Sequence, residues 1–560
     1  MITYFCVTEK LSATVPETHC MTSHPRQYDA VIIGGGIAGI VTALGLLDQG
    51  RSVAILERDK PSKFGGQAYE AFGGMWFTGT PIQRSNRIKD TKELATRDWL
   101  HAAEFGPEDV WQKKWALSYI NEGSTTVYQW LTKELGIRFL PAPGWVERGD
   151  YMSGNSVPRY HIMWGSSEKL TRLLVKRLIR HKKRHKLTLF FHHDVRQFIQ
   201  KSGKIVGCIA ESNGIERRFQ GRDIVIASGG VTGSENEVRR LWPANWPKAP
   251  DYILNGSHEY SDGKLHRVAA EELSANVTHL DAFWNYAAGI HHPYSDRTDP
   301  KHGASLIPPR SGLWADCYGR RIGPMPLVSG FDTRHLCQRV CEQEHGYTWQ
   351  VMNWKIAKRE LNISGTVFNT AIRDERKLTF LANLLRVPDN FLKEIEPLSQ
   401  DIITADNLGD LVAGMNGLTG SNRIDKTVLE AELTEFDRQL TASDDQVNDD
   451  QVRRIVGLRH WKGDRLRICR GQPILDPAAG PLVAIRLHLI TRKSLGGINT
   501  DLSSRVLRSD GSAIDGLYAV GEASGFGGGG VNGKRSLEGT FLSLCIYNAM
   551  KAASAINATY

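Results

Sequence analysis

The sequence predicts an α/β protein whose parallel-sheet domain is split along the chain, with an inserted α+β domain capping it. Three observations predict this. A buried strand at residues 28–33 runs straight into a glycine-rich turn and an apolar helix. A second buried strand, at 223–226, ends on Ala227-Ser228-Gly229-Gly230, and a third, at 516–520, ends on Gly521-Glu522 near the C-terminus. Pieces of one sheet therefore come from both ends of a 560-residue chain, which is longer than one hydrophobic core organises. The expected layout is an extension over 1–27, the first part of the parallel-sheet domain over 28–281, a substrate-capping domain over 282–493, and the C-terminal part over 494–560.

The first strand reads Tyr28-Asp29-Ala30-Val31-Ile32-Ile33 and opens on Gly34-Gly35-Gly36-Ile37-Ala38-Gly39, a GxGxxG fingerprint in strand–turn–helix context. Gly34 suits the tight turn, Gly36 lets a pyrophosphate approach the backbone, and Gly39 lets the helix pack closely on the strand. The helix N-terminus at Ile37 and Ala38 aims N–H groups and a positive dipole end at the phosphates. Ile40, Ala43, Leu44 and Leu47 continue the helix to Gly50, and Ser52-Val53-Ala54-Ile55-Leu56-Glu57 is a second buried strand. Glu57, followed by Arg58, ends it where a ribose hydroxyl sits in such sites. The unit is thus Rossmann-type, and the motif by itself does not separate FAD from NAD.

FAD is favoured by a second glycine-rich stretch directly after that strand, Lys63-Phe64-Gly65-Gly66-Gln67-Ala68 and Ala71-Phe72-Gly73-Gly74-Met75. Here the sequence resembles the flavoprotein superfamily of fumarate reductase, succinate dehydrogenase and 3-ketosteroid dehydrogenase. Their GGNTxxAxGG-like segment brings backbone up to the pyrophosphate and flavin; Gln67 and Ala68 stand where they carry Asn-Thr. Members that tether FAD use a histidine in this segment, and none occurs between Phe64 and Met75, so the resemblance implies a non-covalent FAD. It extends to the hairpin beginning at Asp194 and Val195, to the AxGG strand with Ala227, Ser228 and Gly229, and to Asp262-Gly263. Near the C-terminus, Gly516-Leu517-Tyr518-Ala519-Val520-Gly521-Glu522 resembles a GLYAAGE strand, which places Glu522 by the flavin ribityl chain. Residues 525–530 (GFGGGG) and then Asn532-Gly533-Lys534-Arg535-Ser536-Leu537-Glu538-Gly539 lead into a final apolar helix whose N–H groups face the flavin ring.

Forming or reducing a carbon–carbon double bond beside a carbonyl needs flavin N5 against one carbon, an acid or base near its neighbour, and an electrophile on the carbonyl oxygen. The resemblance supplies candidates. Arg334, in Asp332-Thr333-Arg334, matches a proton-donating arginine of a TTRD-like segment, and Arg535 matches an arginine that clamps a substrate carboxylate. Lys493 takes the place of the histidine in an HTMGG segment. His292-Pro293 is similar to an HP dipeptide and also reads as a plain loop histidine. Where fumarate reductases carry GxRFxNE, this chain reads Gly319-Arg320-Arg321-Ile322-Gly323-Pro324-Met325, without the glutamate that relays protons to an arginine. The 3-ketosteroid dehydrogenases, which residues 505–518 (RVLRSDGSAIDGLY) resemble, use tyrosines as acid and base. Phe526 stands in the corresponding stretch here, leaving Tyr286 or Tyr318 as substitutes. Trp76, Phe77, Trp284, Trp314, Trp349 and Trp354 either line a flat apolar pocket or pack the core.

The expected function is an FAD-dependent dehydrogenase or reductase acting on a CH–CH bond next to a carbonyl. Its partners are a small molecule bearing a carbonyl or carboxylate and an electron donor or acceptor of unspecified kind. A 3-ketosteroid dehydrogenase is the alternative, and a non-catalytic flavin-binding scaffold with a basic surface is the alternative of another class.

Composition excludes other classes. No run approaches the ~18 apolar residues that span a bilayer. The first 24 residues lack the basic-then-apolar pattern of a secretory signal and read as a disordered or tag-like extension. The eight cysteines form no CxxC pair and no zinc or iron–sulfur spacing, so no metal is expected and a reduced, cytoplasmic setting is. Cys337 and Cys341, one helical turn apart, read as a redox pair or as two small hydrophobes on a buried face. The formal charge of +9 is densest at residues 177–186 (RLIRHKKRHK), which continue the period of Leu170, Leu173, Leu174 and Leu178. Without a groove-reading motif this is the solvated end of an amphipathic helix, and no nucleic acid is expected as partner. Residues 443–450 (SDDQVNDD) read as an acidic surface loop.

Overall fold

The computed structural model describes residues 27–149, 151–323, 332–385, 394–443 and 445–560. The expected extension, apart from residue 27, lies outside the described residues, as do Pro324, Met325 and Asp444 of the segments quoted above.

β1 (Gln27–Ile33) and β2 (Val53–Leu56) pair in parallel, Ala30 opposite Val53, with α1 (Ile37–Asp48) crossing between them. Their near-continuous apolar runs suit strands covered on both faces, and every residue of β2 is buried. After α2 (Ser166–Ile179), β3 (Leu187–Phe190) extends the sheet beside β2. The hairpin of β4 (Asp194–Lys201) and β5 (Lys204–Ser212) leads into β6 (Ile215–Ile226), which runs parallel to β1 on its other side.

The chain then builds a second sheet around β7 (Phe283–His291) and the 13-residue β8 (Leu482–Ser494). Its order is Leu313–Ala315, Tyr347–Asn353, β8, β7, Gly303–Ile307, Asn362–Ile363, and these neighbours pair antiparallel. The helices Thr333–Cys341, Leu408–Thr419, Lys426–Thr441 and Asp450–Leu458 contribute to a core that contains Trp314, Trp349 and Phe436. Cys337 and Cys341 both lie in this core, and burial pushes the Cys341 thiol up to about 12, as suits small apolar side chains rather than a reactive pair.

The C-terminal segment returns to the first sheet. β9 (Arg505–Leu507) and β10 (Ala513–Ala519) complete the order β9-β10-β6-β1-β2-β3, with Leu517 opposite Ile224. α3 (Thr540–Ala558) packs on α1 so closely that a Cβ on Gly45 would lie 2.7 Å from the Ala553 methyl. The split Rossmann-type sheet predicted from sequence is thus present, with the antiparallel sheet between its halves. The basic run has a structural task. Lys183 Nζ donates to the Asp48 carbonyl at 2.7 Å and Lys186 Nζ to the Gly50 carbonyl at 2.5 Å, capping the C-terminal end of α1. Among the described residues no helix is long and apolar enough to cross a membrane.

Candidate active site

The turn after β1 needs its glycines for three different reasons. Gly34 has φ +112°, and a Cβ there would lie 2.3 Å from the Ala227 carbonyl oxygen. A Cβ on Gly39 would lie 2.1 Å from the Gly34 carbonyl oxygen, so only glycine lets α1 lie this close to β1. A Cβ on Gly36 would meet nothing within 4 Å, because that position faces a cavity. The second glycine stretch lies against the first: Gly65 N donates to the Gly35 carbonyl at 2.9 Å, and Gly36 and Gly65 form a parallel bridge. Two bare backbones therefore make one wall.

From this wall a cavity of about 880 Å³ extends past Glu57, Arg58, Val195, Ser228 and Asp262. Glu57 is fixed by backbone donors, Gly35 N at 2.7 Å and Asp59 N at 2.8 Å. Arg58 donates to Asp262 at 2.7 Å, and its guanidinium lies 4.5 Å from the centre of the Tyr260 ring. A second cavity of about 1050 Å³ shares Gly36, Gln67, Ala227, Gly229 and Glu522 with the first. The pair forms one elongated cleft with the glycine wall and the N-terminus of α1 at its middle, and these residues fit FAD. Glu57 and Arg58 would hold the adenosine end and the glycines the pyrophosphate. Glu522 stands at the junction, accepting from Ser494 N at 2.9 Å, and burial raises its pKa.

The second cavity joins apolar walls, Phe72, Phe526, Phe541 and Leu542, to the polar groups of Tyr160, Tyr286, Lys493 and Glu538. Tyr286 Oη donates to Glu538 Oε2 at 2.9 Å, and Trp284 Nε1 donates to the same oxygen at 2.8 Å. Burial raises the pKa of both tyrosines well above the usual phenol range, and the Glu538 carboxylate adds to the rise, so both are neutral at neutral pH. Tyr160 fits only because residue 74 is glycine, where a Cβ would lie 1.8 Å from its ring. Lys493 Nζ lies 4.1 Å from the centre of the Phe541 ring, and burial lowers its pKa to about 8. A phenol hydrogen-bonded to a carboxylate, with the Lys493 ammonium 5.9 Å from the centre of the phenol ring, can move a proton beside a carbonyl while charge on the carbonyl oxygen is stabilised.

Residues 29–542 match the family profile of the FAD binding domain. The chain belongs to this family. It is 37% identical over 534 residues to a KsdD-like steroid dehydrogenase of Mycolicibacterium smegmatis, a match covering 92% of this chain and 96% of the relative. Among solved structures it resembles 3-ketosteroid Δ1-dehydrogenase from Sterolibacterium denitrificans, with TM-score 0.66 and 16% identity over 95% of this chain and 100% of the other. It also resembles an open flavocytochrome c3 fumarate reductase, with TM-score 0.64 and 16% identity over 98% of this chain and 80% of the other. At that identity the structural likeness carries the fold alone. As a member of the family the chain is an FAD-dependent oxidoreductase of the CH–CH dehydrogenase and reductase class.

Within the family cleft, the residues expected from sequence to hold the cofactor fall into two groups. Gly34, Gly36, Glu57, Arg58, Gly66, Gln67, Val195, Ala227, Ser228, Gly229, Asp262 and Glu522 line the first cavity. Ile37, Ala38, Gly65, Gly73, Gly74 and Gly521 line the second. Gly39 acts one layer back, as above; Ser536 bonds Thr540 at 3.0 Å, and Leu537 is buried in the core. Of the expected catalytic residues, Lys493 lines the second cavity, whereas Arg334 and Arg535 line neither. Arg535, in the loop that carries Glu538, pairs with Glu104, and Arg334 lies over the Trp246 ring at 5.6 Å. His292 lines an outer chamber beside the cleft. Tyr286 is in the cavity; Tyr318 lies outside it, half-buried, and donates to Glu344 at 2.8 Å. Trp76, Phe77, Trp314 and Trp349 pack the cores.

Tyr160 had no motif around it, and Glu538 lay inside a quoted segment without a role, because its partners Trp284 and Tyr286 are distant in sequence. One grouping of potential metal ligands occurs among the described residues, His291, Asp401 and His488. Asp401 already accepts from His291 Nδ1 at 2.8 Å and from Arg486 at 3.1 Å, so an arginine supplies the positive charge there.

Proposed function

We propose that the protein oxidises the CH–CH bond next to the ring ketone of a 3-ketosteroid or a similarly flat cyclic ketone, with FAD bound non-covalently in the cleft. The observation that carries this reading is the Tyr286–Glu538 pair opening onto an apolar cavity beside the flavin cradle. The identity to a KsdD-like steroid dehydrogenase along nearly the whole chain supports the substrate class.

When bound, FAD accepts the hydride. The chain's residues do the rest. Phe72, Phe541 and Leu542 hold a flat ring system and keep water out. Lys493, as its ammonium, polarises the ketone oxygen and makes the neighbouring C–H acidic. Tyr286 Oη takes that proton as it passes its own to Glu538, so the relay missing from residues 319–325 is replaced by one across β7 and the loop before α3. Arg535, paired with Glu104, holds that loop, and Arg334 lies near both. Residues 282–493 act as the cap, since β7 and β8 deliver Tyr286 and Lys493 to the cavity. The scattered cysteines suit a reducing, cytoplasmic setting.

Anaerobic addition of a 3-ketosteroid to the FAD-loaded protein should bleach the flavin and yield the unsaturated ketone. If ketosteroids leave it yellow while photoreduced flavin is reoxidised by an unsaturated dicarboxylic acid, the reductase reading replaces this one. Acid precipitation should release intact FAD into the supernatant; a flavin retained in the pellet would mean a covalent link.

A further inference from the structure

The second cavity does not end at its apolar wall. Ser364 and Arg492 line it and also line an outer chamber, whose walls include His292, His302, Asp296 and Phe368. Arg492 thus stands between the cavity of Tyr286 and the outer chamber.

A bulge in the sheet sets the position of Arg492. Lys493 on β8 pairs with Trp284 and Thr491 with Asn285, so Arg492 is an extra residue with no partner in the ladder. Bulges of this kind redirect a side chain and cluster near functional sites. The Arg492 carbonyl, lost to the ladder, accepts from Ser257 Oγ at 2.8 Å. Its Nη1 donates to the Gly256 carbonyl at 2.8 Å, and a Cβ on Gly256 would lie 2.6 Å from Arg492 Cδ, so glycine is what lets the side chain lie there. Gln67 Nε2 donates to the same carbonyl at 3.0 Å, which ties the arginine to the flavin cradle.

What the guanidinium lacks is an anion. Among the described residues Arg492 makes no ion pair, and its Nε is buried without a hydrogen-bond partner. The acids of the outer chamber are committed elsewhere: Glu70 pairs with Arg297 at 3.3 Å and Asp296 with Lys63 at 3.3 Å. His292 and His302 stack with ring centres 4.6 Å apart, and burial with the charges of Arg297 and Arg492 keeps both neutral. A guanidinium matches a carboxylate in charge and in its planar fork.

We infer that Arg492 binds a carboxylate that the substrate carries besides its ketone, so that the substrate is an acidic ring ketone rather than a neutral one. The inference rests on the proposed function for the ketone end only. Its test compares a 3-ketosteroid bearing a side-chain carboxylic acid with the methyl ester of the same compound, on the FAD-loaded protein and on Arg492→Met. Equilibrium dialysis reads binding and anaerobic bleaching reads turnover. The acid should bind the unsubstituted protein about tenfold more tightly than the ester, and in Arg492→Met its Kd should rise to that of the ester while FAD stays bound. Equal Kd values for acid and ester in the unsubstituted protein, an acid preference that survives Arg492→Met, or loss of FAD from the variant would each overturn the inference. An acid preference without bleaching by either compound keeps the anion site and sinks the dehydrogenase reading; bleaching by both without a preference does the reverse.

Discussion

Lys493 and Glu147 carry charges whose cost depends on pH. Lys493 has its pKa lowered to about 8 by burial, so below that pH it is mainly the ammonium that can polarise a ketone. Turnover should fall as pH rises through about 8, and Lys493→Met should lower the neutral-pH rate by about 10²-fold and remove that limb. A flat profile across this range would rule out Lys493 as the electrophile. Glu147 is buried with its pKa raised to about 8, and it accepts from Thr333 N at 3.2 Å and from Thr333 Oγ. Its unfolded value is about 4.3, so the folded chain holds this proton more tightly. The resulting stability is full below the unfolded pKa and is lost as pH rises through the folded one. Glu147→Gln should keep the Thr333 contacts and flatten the Tm profile between pH of about 5 and about 8; a Tm that falls as steeply as in the unsubstituted protein would contradict the assignment. The sequence made Tyr286 and Tyr318 equal candidates, because whether a tyrosine meets Glu538 or exposed Glu344 depends on which strands pair.

At the scale of elements, the glycine turn was fully legible because its causes are local: a positive φ at Gly34, a close carbonyl at Gly39, an open face at Gly36. These causes predict different outcomes for similar substitutions. Gly36→Val should fold with the Tm of the apoprotein and fail to bind FAD, since its side chain enters only the cavity. Gly39→Val should lower that Tm or abolish folding, since α1 must leave β1. Circular dichroism melts and flavin titration distinguish them; FAD binding by Gly36→Val would contradict the placement of the pyrophosphate. The basic run at 177–186 was read only as solvated because its partners, the carbonyls of Asp48 and Gly50 at the end of α1, come from a distant part of the chain. The bulge at Arg492 was illegible for the same reason, as it exists only in the register of β8 against β7.

Across the whole molecule, the order of strand motifs revealed a sheet assembled from both ends of the chain, and the match over residues 29–542 agrees. The antiparallel sheet between the halves carries no cofactor motif, so its topology had no sequence signal; Leu254–Asn255 even joins it from before residue 282. FAD would contact both parts, since Gly36 and Glu522 from one and Tyr286 and Lys493 from the other line a single cavity. FAD at 100 times its Kd should therefore stabilise the protein by about 2.7 kcal/mol, read as a rise in Tm. No rise at saturating flavin would mean that the cleft is not the cofactor site.

In the proposed reaction a proton leaves the substrate through Tyr286 as the hydride reaches FAD. Anaerobic single-turnover bleaching of Tyr286→Phe, loaded with FAD and mixed with a 3-ketosteroid that bleaches the unsubstituted protein, tests it most directly. An unchanged oxidised flavin spectrum and a bleaching rate lower by about 10²-fold or more are expected. Bleaching at the rate of the unsubstituted protein would contradict it.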